Sequence, residues 1–551
     1  MKNVVWIANA INNLKAKCMI RLNDHNQLQL FDPWDYLSPK RRDMLDQSWA
    51  GLFQNEILRA LPIRELASSF SKTTGRPTKE LYTMLGVLVL QQAHDLTDEE
   101  TIYQLAFNIQ WHYALNITDE SDSAKYLSLK TLWNFRQLLI EKKLDSVLFE
   151  KITAKLAEVF NVNTDKQRID SVHIKSNMRR LGRISIFSSS INRFLVNLKR
   201  KQPNHFEDVE SSLVEKYLSE KSLACFSLVK PSDSPKTLSN VSNDLFNLIE
   251  QFKVCPEVVS MYTYKQLERV LKEQCNLEET DEGRKVDLKK PKEIPADSLQ
   301  NPSDPDATYS GHKGQGYQVQ VMESYTDTED RDIKDKTLNL ITHVSVEKAS
   351  ESDAHALVPA IESVKERDLC PREIQADTLY GSDENCESAK VEGVELVSPT
   401  MGTINSEGVT LSDFEFSDNG QVERCPQGHA PVVKKNKKER IVQGFNLETC
   451  SKCPLVDECP VKAGKKYYYL RCSKKSMRLA RRRTLEQTDE FKERYRWRAG
   501  VEATMSEYDR RTGVKRLRIR GFDAVRYAAI LKATAVNIFR ATAVRKAVSY
   551  A

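Results

Sequence analysis

The apolar residues of the first third of the chain recur at helical spacing. Between residues 46 and 160 they return every three or four positions, as in KELYTMLGVLVLQQAHD after the breaker GRP. This spacing places apolar side chains on one face of a helix. DLTDEETIYQLAFNIQWHYAL offers Thr97 as an N-cap, with acids in the first turn. We predict an N-terminal arm over residues 1–45 and a helical domain of about four or five helices over residues 46–160.

The pattern changes to strand-like alternation at RIDSVHI, within residues 165–175. GYQVQVM and LNLITHVSV alternate in the same way and predict paired antiparallel strands. DAHALVPAIESVKER is typical of a helix, and REIQA and VEGVELVSP of short strands. Residues 165–175 and 305–400 therefore predict an α/β core, a mixed sheet flanked by helices.

Two insertions interrupt this core. Residues 176–304 carry helical stretches such as SINRFLVNLKRK and end in a polar, proline-containing segment that we interpret as a linker. Residues 400–485 form a second, cysteine-containing insertion, and residues 486–545 return to the core. The segment DAVRYAAILKATAVNIFRATAV is amphipathic enough to pack against the sheet as a helix.

Composition indicates a globular protein of about three or four domains. Hydrophobic residues make up 40% of the 551 residues and charged residues 29%, so core material is ample. No apolar run approaches the length of a membrane span. The beginning MKNVVWIANAINN lacks a small-residue cleavage site and does not resemble a signal peptide. We expect a cytoplasmic protein.

Basic residues are concentrated late in the chain. The net charge is only +6, but residues 471–520 contain 17 Lys and Arg against 7 Asp and Glu. A solvated helical face is the simplest alternative, yet RCSKKSMRLARRR and RRTGVKRLRIRG are too one-sided for paired ion bridges. This stretch favours contact with a polyanion, and nucleic acid is the expected partner. Two helices joined by a short turn would also suit a DNA groove, although any small helical bundle gives the same pattern.

Three acids are the candidate catalytic residues. Asp170 lies within RIDSVHI, Asp377 follows REIQA, and Glu502 lies in EFKERYRWRAGVEATMSEYDRR. Taken singly, they could be a turn acid, a helix cap and a surface ion-pair partner. Ser382 is a better cap for the helix after Asp377. Two strands and a helix can bring the three together, and such carboxylates hold two Mg²⁺ or Mn²⁺ ions for chemistry on a phosphodiester.

The order and surroundings of these acids resemble the DDE transposases of bacterial insertion sequences. The resemblance runs from about Gln47 to Ala541, through SDPDATYSGHKGQGYQVQV, ADTLYGSDEN and YRWRAGVEATMSEYDRRTGVKRLRIRG. It implies an RNase H-like core, metal-dependent DNA cleavage and strand transfer at the ends of a mobile element, a helical DNA-binding N-terminal domain and a dimer on paired ends. The rivals are a nuclease or resolvase without strand transfer, and an inactive DNA-binding derivative.

The last of these motifs is the most specific. Tyr495, Arg498 and Glu502 are spaced by three and four residues, which places them on one helical face. Many relatives have a lysine seven residues after the glutamate, where this chain has Asp509. The basic role then falls to neighbouring residues. The candidate DNA-binding residues are Tyr495, Arg498, Arg510, Arg511, Lys515, Arg516 and Arg518.

Four of the 11 cysteines are spaced like metal ligands. They occur as Cys425-Pro-Gln-Gly-His429, Cys450-Ser-Lys-Cys453 and Cys459, which resembles a zinc ribbon. Such thiolates can surround a structural Zn²⁺, with His429 as a spare ligand. A metal-free loop with unpaired thiols is the alternative. The cysteines without such spacing are Cys18, Cys225, Cys255, Cys275, Cys370, Cys386 and Cys472.

Other chemical signals are weaker. GHKGQG, residues 311–316, is interpreted as following no strand and opening no helix, so a nucleotide-binding loop is not expected. His173 is expected to pack within its strand rather than act as a base. Glu507 is the nearest rival to Glu502 but is rotated away along the helix. Asp306 and Asp383 are weaker candidates at loop and helix-start positions.

Overall fold

A computed structural model describes most of the chain. The described residues are 19–25, 32–219, 226, 229–280, 283–402, 408–417, 421–436 and 440–549. Most of the predicted N-terminal arm, together with Cys18 and Cys225, lies outside them. Among the described helices, none has both the length and the apolar composition needed to cross a membrane.

The predicted helices of residues 46–160 are confirmed. Four have ten or more residues, and shorter turns connect them; Thr97 caps its helix, accepting the Glu100 N–H while Glu100 accepts the Thr97 N–H. The α-helices are Pro39–Asp46, Trp49–Leu52, Ile63–Ala67, Leu81–Ala93, Asp98–Phe107, Ile109–Ala114, Asp122–Lys125, Leu129–Glu141 and Leu144–Val159.

These helices share one core with the sheet. Helices Leu81–Ala93 and Leu144–Val159 pack on the last helix, Phe522–Ser549, which also packs on the sheet. Buried side chains such as Leu85, Leu148 and Val536 belong to one continuous apolar cluster. The last helix is buried on most sides, which explains why it has so many alanines along its length.

Strand β1 (Lys166–Lys175) begins the sheet, and the chain then enters the first insertion. The insertion has its own apolar core and ends in a hairpin of β2 (Cys275–Thr280) and β3 (Gly283–Leu288), which the helical interpretation missed. Its α-helices are Arg183–Lys201, Pro203–Glu207, Ser211–Leu218, Ser234–Phe252, Pro256–Val259 and Tyr262–Gln274.

The second half of the segment interpreted as a linker is packed, whereas most of residues 290–297 are exposed. Residues 298–301 and Asp304 are buried. The Asp304 carboxylate accepts hydrogen bonds from the Ser176 and Tyr317 hydroxyls, each at 2.6 Å, and from the Gly521 N–H at 3.0 Å. A polar, proline-containing composition therefore conceals an ordered junction, because its polar groups are satisfied by distant partners.

The sheet confirms the mixed α/β prediction. Strands β4 (Thr308–Ser310), β5 (Gly314–Ser324), β6 (Ile341–Lys348), β7 (Glu373–Gln375) and β8 (Glu395–Val397) join β1. β5 pairs antiparallel with β1, β4 and β6, whereas β1, β7 and β8 are parallel in that order. Helices Leu357–Lys365 and Asp383–Val391 accompany it. This is the strand arrangement of an RNase H-like core.

One local interpretation is wrong. GHKGQG follows strand β4 and forms the hairpin turn into β5, with Ser310 paired to Gly314. β4 has only three residues, too few to reveal alternation. A Cβ at Gly316 would lie 1.9 Å from the Ile174 carbonyl oxygen, so this glycine serves the close approach of two strands.

The second insertion is mainly β-structure with a separate apolar core. Its strands are β9 (Glu415–Phe416), β10 (Val422–Arg424), β11 (Val433–Asn436), β12 (Arg440–Asn446), β13 (Lys462–Ala463) and β14 (Tyr467–Ser473), with helix Leu447–Ser451. Helices Lys474–Glu486, Asp489–Tyr495 and Gly500–Thr512 follow before the last helix. We call Gly500–Thr512 the Glu502 helix.

Candidate active site

Neighbouring parallel strands carry the two candidate aspartates. Arg168 of β1 lies opposite Gln375 of β7 in the parallel register. Asp170 follows Arg168 by two residues within β1, and Asp377 follows Gln375 by two residues, just past the end of β7 in extended backbone. The two carboxylates therefore come from corresponding positions, Asp170 on one face of β1 and Asp377 directly after β7.

The third candidate comes from the helix that packs on this face. Val501 and Met505 of the Glu502 helix are buried in the same cluster as Val172 and Val319 of the sheet. The Glu502 side chain is 72% exposed, whereas that of Asp170 is only 16% exposed. Glu502 thus stands at the rim of the site with freedom to turn.

Arg498 links the acids directly. Its Nη2 donates to the Asp170 carboxylate at 2.7 Å and its Nη1 to the Glu502 carboxylate at 3.3 Å. One guanidinium fork therefore bridges a strand residue and a helix residue that are far apart in sequence. In this structure the Arg498 guanidinium group therefore binds the acids.

Burial and charge act against each other at Asp170. Burial raises the pKa of this carboxyl group, and Arg498 and the Ser171 N–H lower it. The carboxylates of Asp377 and Asp353 raise it further, and the net shift is upward. Such a site disfavours additional negative charge and rewards a cation placed between the acids.

Asp377 also has a local structural role. It accepts the Leu379 N–H at 2.9 Å and caps the 3₁₀ turn Thr378–Tyr380. Ser382 caps the following helix by accepting the Asn385 N–H, as predicted. Asp377 retains a second carboxylate oxygen for other partners, so the cap and a ligand role are compatible.

Tyr495 lies close to these acids. Its ring stacks on Phe491, with centroids 5.5 Å apart. Burial raises the pKa of Tyr495, with a further upward contribution from Asp377 and Asp170 that Arg498 opposes. The stripe of Tyr495, Arg498 and Glu502 therefore faces the aspartates, although a 3₁₀ turn, Arg496–Ala499, joins its two helices.

The remaining basic candidates form a second group farther along the chain. Arg510 and Arg516 are exposed, and Arg511 pairs with Glu507 at 2.7 Å. The Lys515 N–H binds the Asp509 carboxylate at 3.1 Å, and Arg518 pairs with Asp95 at 3.1 Å. Asp509 thus anchors the turn after the Glu502 helix.

Rival acids are engaged elsewhere. Glu507 binds both Arg511 and Arg540 and does not join the Arg498 bridge. Asp383 pairs with Arg478 at 2.6 Å, and the Asp306 carboxylate accepts the Phe522 N–H at 3.1 Å. The ring nitrogens of His173 are buried and unpartnered within the described part of the chain, in keeping with strand packing.

Sequence reasoning missed a polar network beside the aspartates. The buried Tyr380 hydroxyl donates to Gln320, and Gln320 Nε2 donates to the Asp353 carboxylate at 2.9 Å. Burial raises the pKa of Tyr380, and Asp353, Asp170 and Asp377 raise it further. The alternation in GYQVQVM places its glutamines opposite the valines, where exposure is the usual expectation, so no local signal marked Gln320 as buried.

The four candidate zinc ligands surround one small cavity. Cys425, Cys450, Cys453 and Cys459 line it with His429 and apolar residues such as Phe445. Burial raises the pKa of Cys450 to about 11, with further upward contributions from the other three thiols. The thiols are thus near neighbours brought together from a turn, a helix and a loop.

Neither cluster is a finished metal site. In the ranges that the structure describes, no three His, Cys, Asp or Glu side chains are already arranged as ligands of one ion. Arg498 bridges Asp170 and Glu502, and the four thiols line one cavity. The oxygen donors of the first cluster fit Mg²⁺ or Mn²⁺, and the sulfur donors of the second fit Zn²⁺.

The order of strands, the helical N-terminal region and the acids at one face define an α/β protein with an RNase H-like core. Residues 424–542 match a family model described as a transposase DDE domain. Residues 44–138 match a second, described as a transposase domain (DUF772). The two matches cover separate parts of the chain, and both support an insertion-sequence DDE transposase. No curated protein and no solved structure matches it.

Proposed function

We propose that this transposase binds the ends of an insertion sequence and carries out metal-dependent cleavage and strand transfer of DNA. Asp170, Asp377 and Glu502 are the proposed ligands of two Mg²⁺ or Mn²⁺ ions. The observation that carries the proposal is the Arg498 bridge between Asp170 and Glu502, beside a strand register that brings Asp377 to Asp170. When bound, the ions activate a hydroxyl and stabilise the leaving oxygen of the phosphodiester.

The protein side chains prepare this site for a cation. Asp170 is nearly buried and held by Arg498, Asp377 keeps one oxygen available, and Glu502 would turn inward from the rim to reach a bound ion. Arg498 neutralises the acids while no ion is bound, and it lies within reach of a phosphate once it leaves them. Because the acids crowd one another, a divalent cation gains more there than at an isolated surface carboxylate.

DNA contact is proposed for the basic residues around the site. Arg498 and Tyr495 border the acids, and Arg510, Arg511, Lys515, Arg516 and Arg518 extend the basic surface along the same part of the chain. The helical region of residues 46–160 is the proposed second contact with the terminal repeats. Binding through phosphates would weaken steeply as salt increases. Two ends need two sites, so we propose a homodimer on DNA, acting on the nucleoid in the cytoplasm.

A structural zinc ion is proposed for the second insertion. Cys425, Cys450, Cys453 and Cys459 would hold it as thiolates, with His429 as the spare ligand. The support is that all four thiols adjoin one cavity and that the other three raise the pKa of Cys450. A bound Zn²⁺ would reverse this effect, because coordinated thiols are deprotonated.

A product assay on DNA carrying an element end tests the proposal. Glu502→Gln keeps size and helix propensity but removes the charge, so we expect DNA binding to persist and cleavage to fall by orders of magnitude. Glu507→Gln on the same helix is the matched control and should cleave normally.

The products separate the alternatives. Joined DNA molecules support a transposase, nicks alone support a nuclease or resolvase, and binding alone supports an inactive derivative. Normal cleavage by the Glu502→Gln protein would contradict the assignment of Glu502.

A further inference from the structure

Arg168 connects β1 to the segment that carries Arg498 and Glu502. Its side chain is 9% exposed, and its Nε donates to the fully buried Glu323 carboxylate at 2.8 Å. Its Nη1 donates to the main-chain carbonyl oxygen of Trp497 at 2.7 Å. Trp497 lies in the 3₁₀ turn between the two helices, one residue before Arg498. A strand residue two positions before Asp170 thus holds the backbone beside Arg498.

Gln375 makes the corresponding contact from β7. It is buried, and its Nε2 donates to the main-chain carbonyl oxygen of Arg494 at 2.6 Å. Arg494 is in the last turn of helix Asp489–Tyr495, where carbonyl groups lack partners within the helix. Gln375 lies two positions before Asp377, so both candidate aspartates have such a donor at the same offset.

The two donors act as one unit because of the strand register. Arg168 and Gln375 are direct partners in the parallel pairing of β1 and β7. The carbonyl groups that they bind lie three residues apart, within residues 494–497. These residues connect the two helices, and we call them the helical joint. Arg494 adds ion pairs to Glu373 of β7 and Glu395 of β8, each at 2.8 Å. The joint is therefore fastened across three neighbouring strands.

Gly500 permits the close approach. A Cβ at this position would lie 2.1 Å from Arg168 Nη1, which is closer than atoms can approach. The obstacle is the end of a flexible side chain, so an alanine there would displace the guanidinium group from Trp497. Glycine at the first residue of the Glu502 helix is otherwise a poor helix former.

We infer that Arg168 and Gln375 are positioning residues that set the Glu502 helix against Asp170 and Asp377. They fix the backbone from Arg494 to Trp497. The position of this backbone determines the positions of the Arg498 and Glu502 side chains. A displacement of the joint would separate Glu502 from the aspartates while leaving every ligand in place. This inference rests on the proposed metal site and adds residues that would hold its geometry.

Binding of Mn²⁺ to the full-length protein, followed by electron paramagnetic resonance, tests the inference without relying on catalysis. Arg168→Lys keeps a positive charge opposite Glu323 but loses the fork, and Gln375→Met keeps length but loses the donor. Gly500→Ala disturbs the same contact without altering either side chain. Each should raise the half-saturating Mn²⁺ concentration by about 10- to 100-fold.

Arg526→Lys is the matched control. Arg526 is also nearly buried, pairs with the buried Asp145 at 3.2 Å and donates to a main-chain carbonyl, that of Ile140, at 3.3 Å. It should lower the melting temperature as Arg168→Lys does, yet leave Mn²⁺ binding unchanged.

The outcomes separate the inference from the proposed function. If the unaltered protein binds no Mn²⁺, or binds it equally well after Asp170→Asn, the metal site itself is wrong and the inference falls with it. If Mn²⁺ binding depends on Asp170 but is unchanged by all three substitutions, the inference is wrong while the proposed metal site stands. Weaker binding in Gly500→Ala and Gln375→Met, with Arg168 intact in both, supports it even where Arg168→Lys fails to fold.

Discussion

The carboxylate cluster and the cysteine cluster collect their side chains in similar ways but balance charge differently. Arg498 bridges Asp170 and Glu502, so a resident cation offsets part of their negative charge. The thiols instead adjoin apolar residues such as Phe445 and Val461. Burial there raises the pKa of Cys450 to about 11, which keeps it protonated near neutral pH. The carboxylate cluster therefore suits a metal ion that binds reversibly, and the cysteine cluster suits a metal ion that remains bound.

The two clusters also differ in the solvent exposure of their side chains. The Glu502 side chain is 72% exposed at the rim of its site, whereas Cys450 is 9% exposed. An open rim leaves room for substrate oxygen beside a metal ion, as catalytic sites require. Closed sulfur coordination has no such position and contributes to folding instead.

The largest expected effect is on catalysis at the carboxylate cluster. Asp377→Asn keeps the size of the side chain and an oxygen for the cap at Leu379, but removes the charge. A bound metal contributes several kcal/mol to the transition state, so cleavage of end-containing DNA should fall by about a thousandfold. Single-turnover cleavage assays measure this loss, and the melting temperature should change little.

Asp306→Asn is the control for this substitution, because Asp306 is a rival acid that binds the Phe522 N–H outside the cluster. Equal rates for Asp377→Asn and the unaltered protein would place the second acid elsewhere. Asp353, which also raises the pKa of Asp170, would be the next residue to replace.

The next largest effect is on folding at the cysteine cluster. Cys450→Ser should reduce bound zinc from about one ion per chain to almost none. Because the metal would stabilise the insertion, protease should then cut within residues 408–473 faster than elsewhere. Elemental analysis and limited proteolysis measure the two effects.

Cys472→Ser is the matched change, since Cys472 packs in the same insertion core but does not line the cavity. It should keep its zinc. Unaltered protein that contains no zinc, or Cys450→Ser protein that retains it, would contradict the proposed site.

The smallest expected effect concerns the link between the carboxylate cluster and DNA. Arg498→Ala removes the cation from the acids and the proposed phosphate contact, so both cleavage and end binding should weaken. We expect about tenfold weaker binding and a salt dependence reduced by about one counterion. Binding titrations at several salt concentrations measure this slope.

Arg372→Ala provides the comparison, because Arg372 is an exposed arginine before β7 that pairs only loosely with Asp165, at 3.5 Å. Its binding and salt slope should match those of the unaltered protein. If Arg498→Ala reduced cleavage alone, Arg498 would serve the acids and not the DNA.

Local patterns predicted much of the fold and failed where pairing was distant. The spacing in KELYTMLGVLVLQQAHD predicted a helix, and Thr97 and Ser382 cap helices as expected. The three-residue strand β4 and the hairpin of β2 and β3 were missed, because short strands carry little alternation. The buried segment around Asp304 was interpreted as a linker, because the residues that stabilise it are distant in sequence.

By itself, the sequence determined the longer helices and core strands and which acids and thiols are available as ligands. Periodicity and capping act over a few residues, so they are visible in the chain. The tertiary structure alone decided that Arg168 stands beside Gln375, that Arg498 bridges Asp170 and Glu502, and that Glu507 faces Arg540. These contacts depend on strand register and on helices packed across hundreds of residues, and no local pattern specifies a partner at that distance.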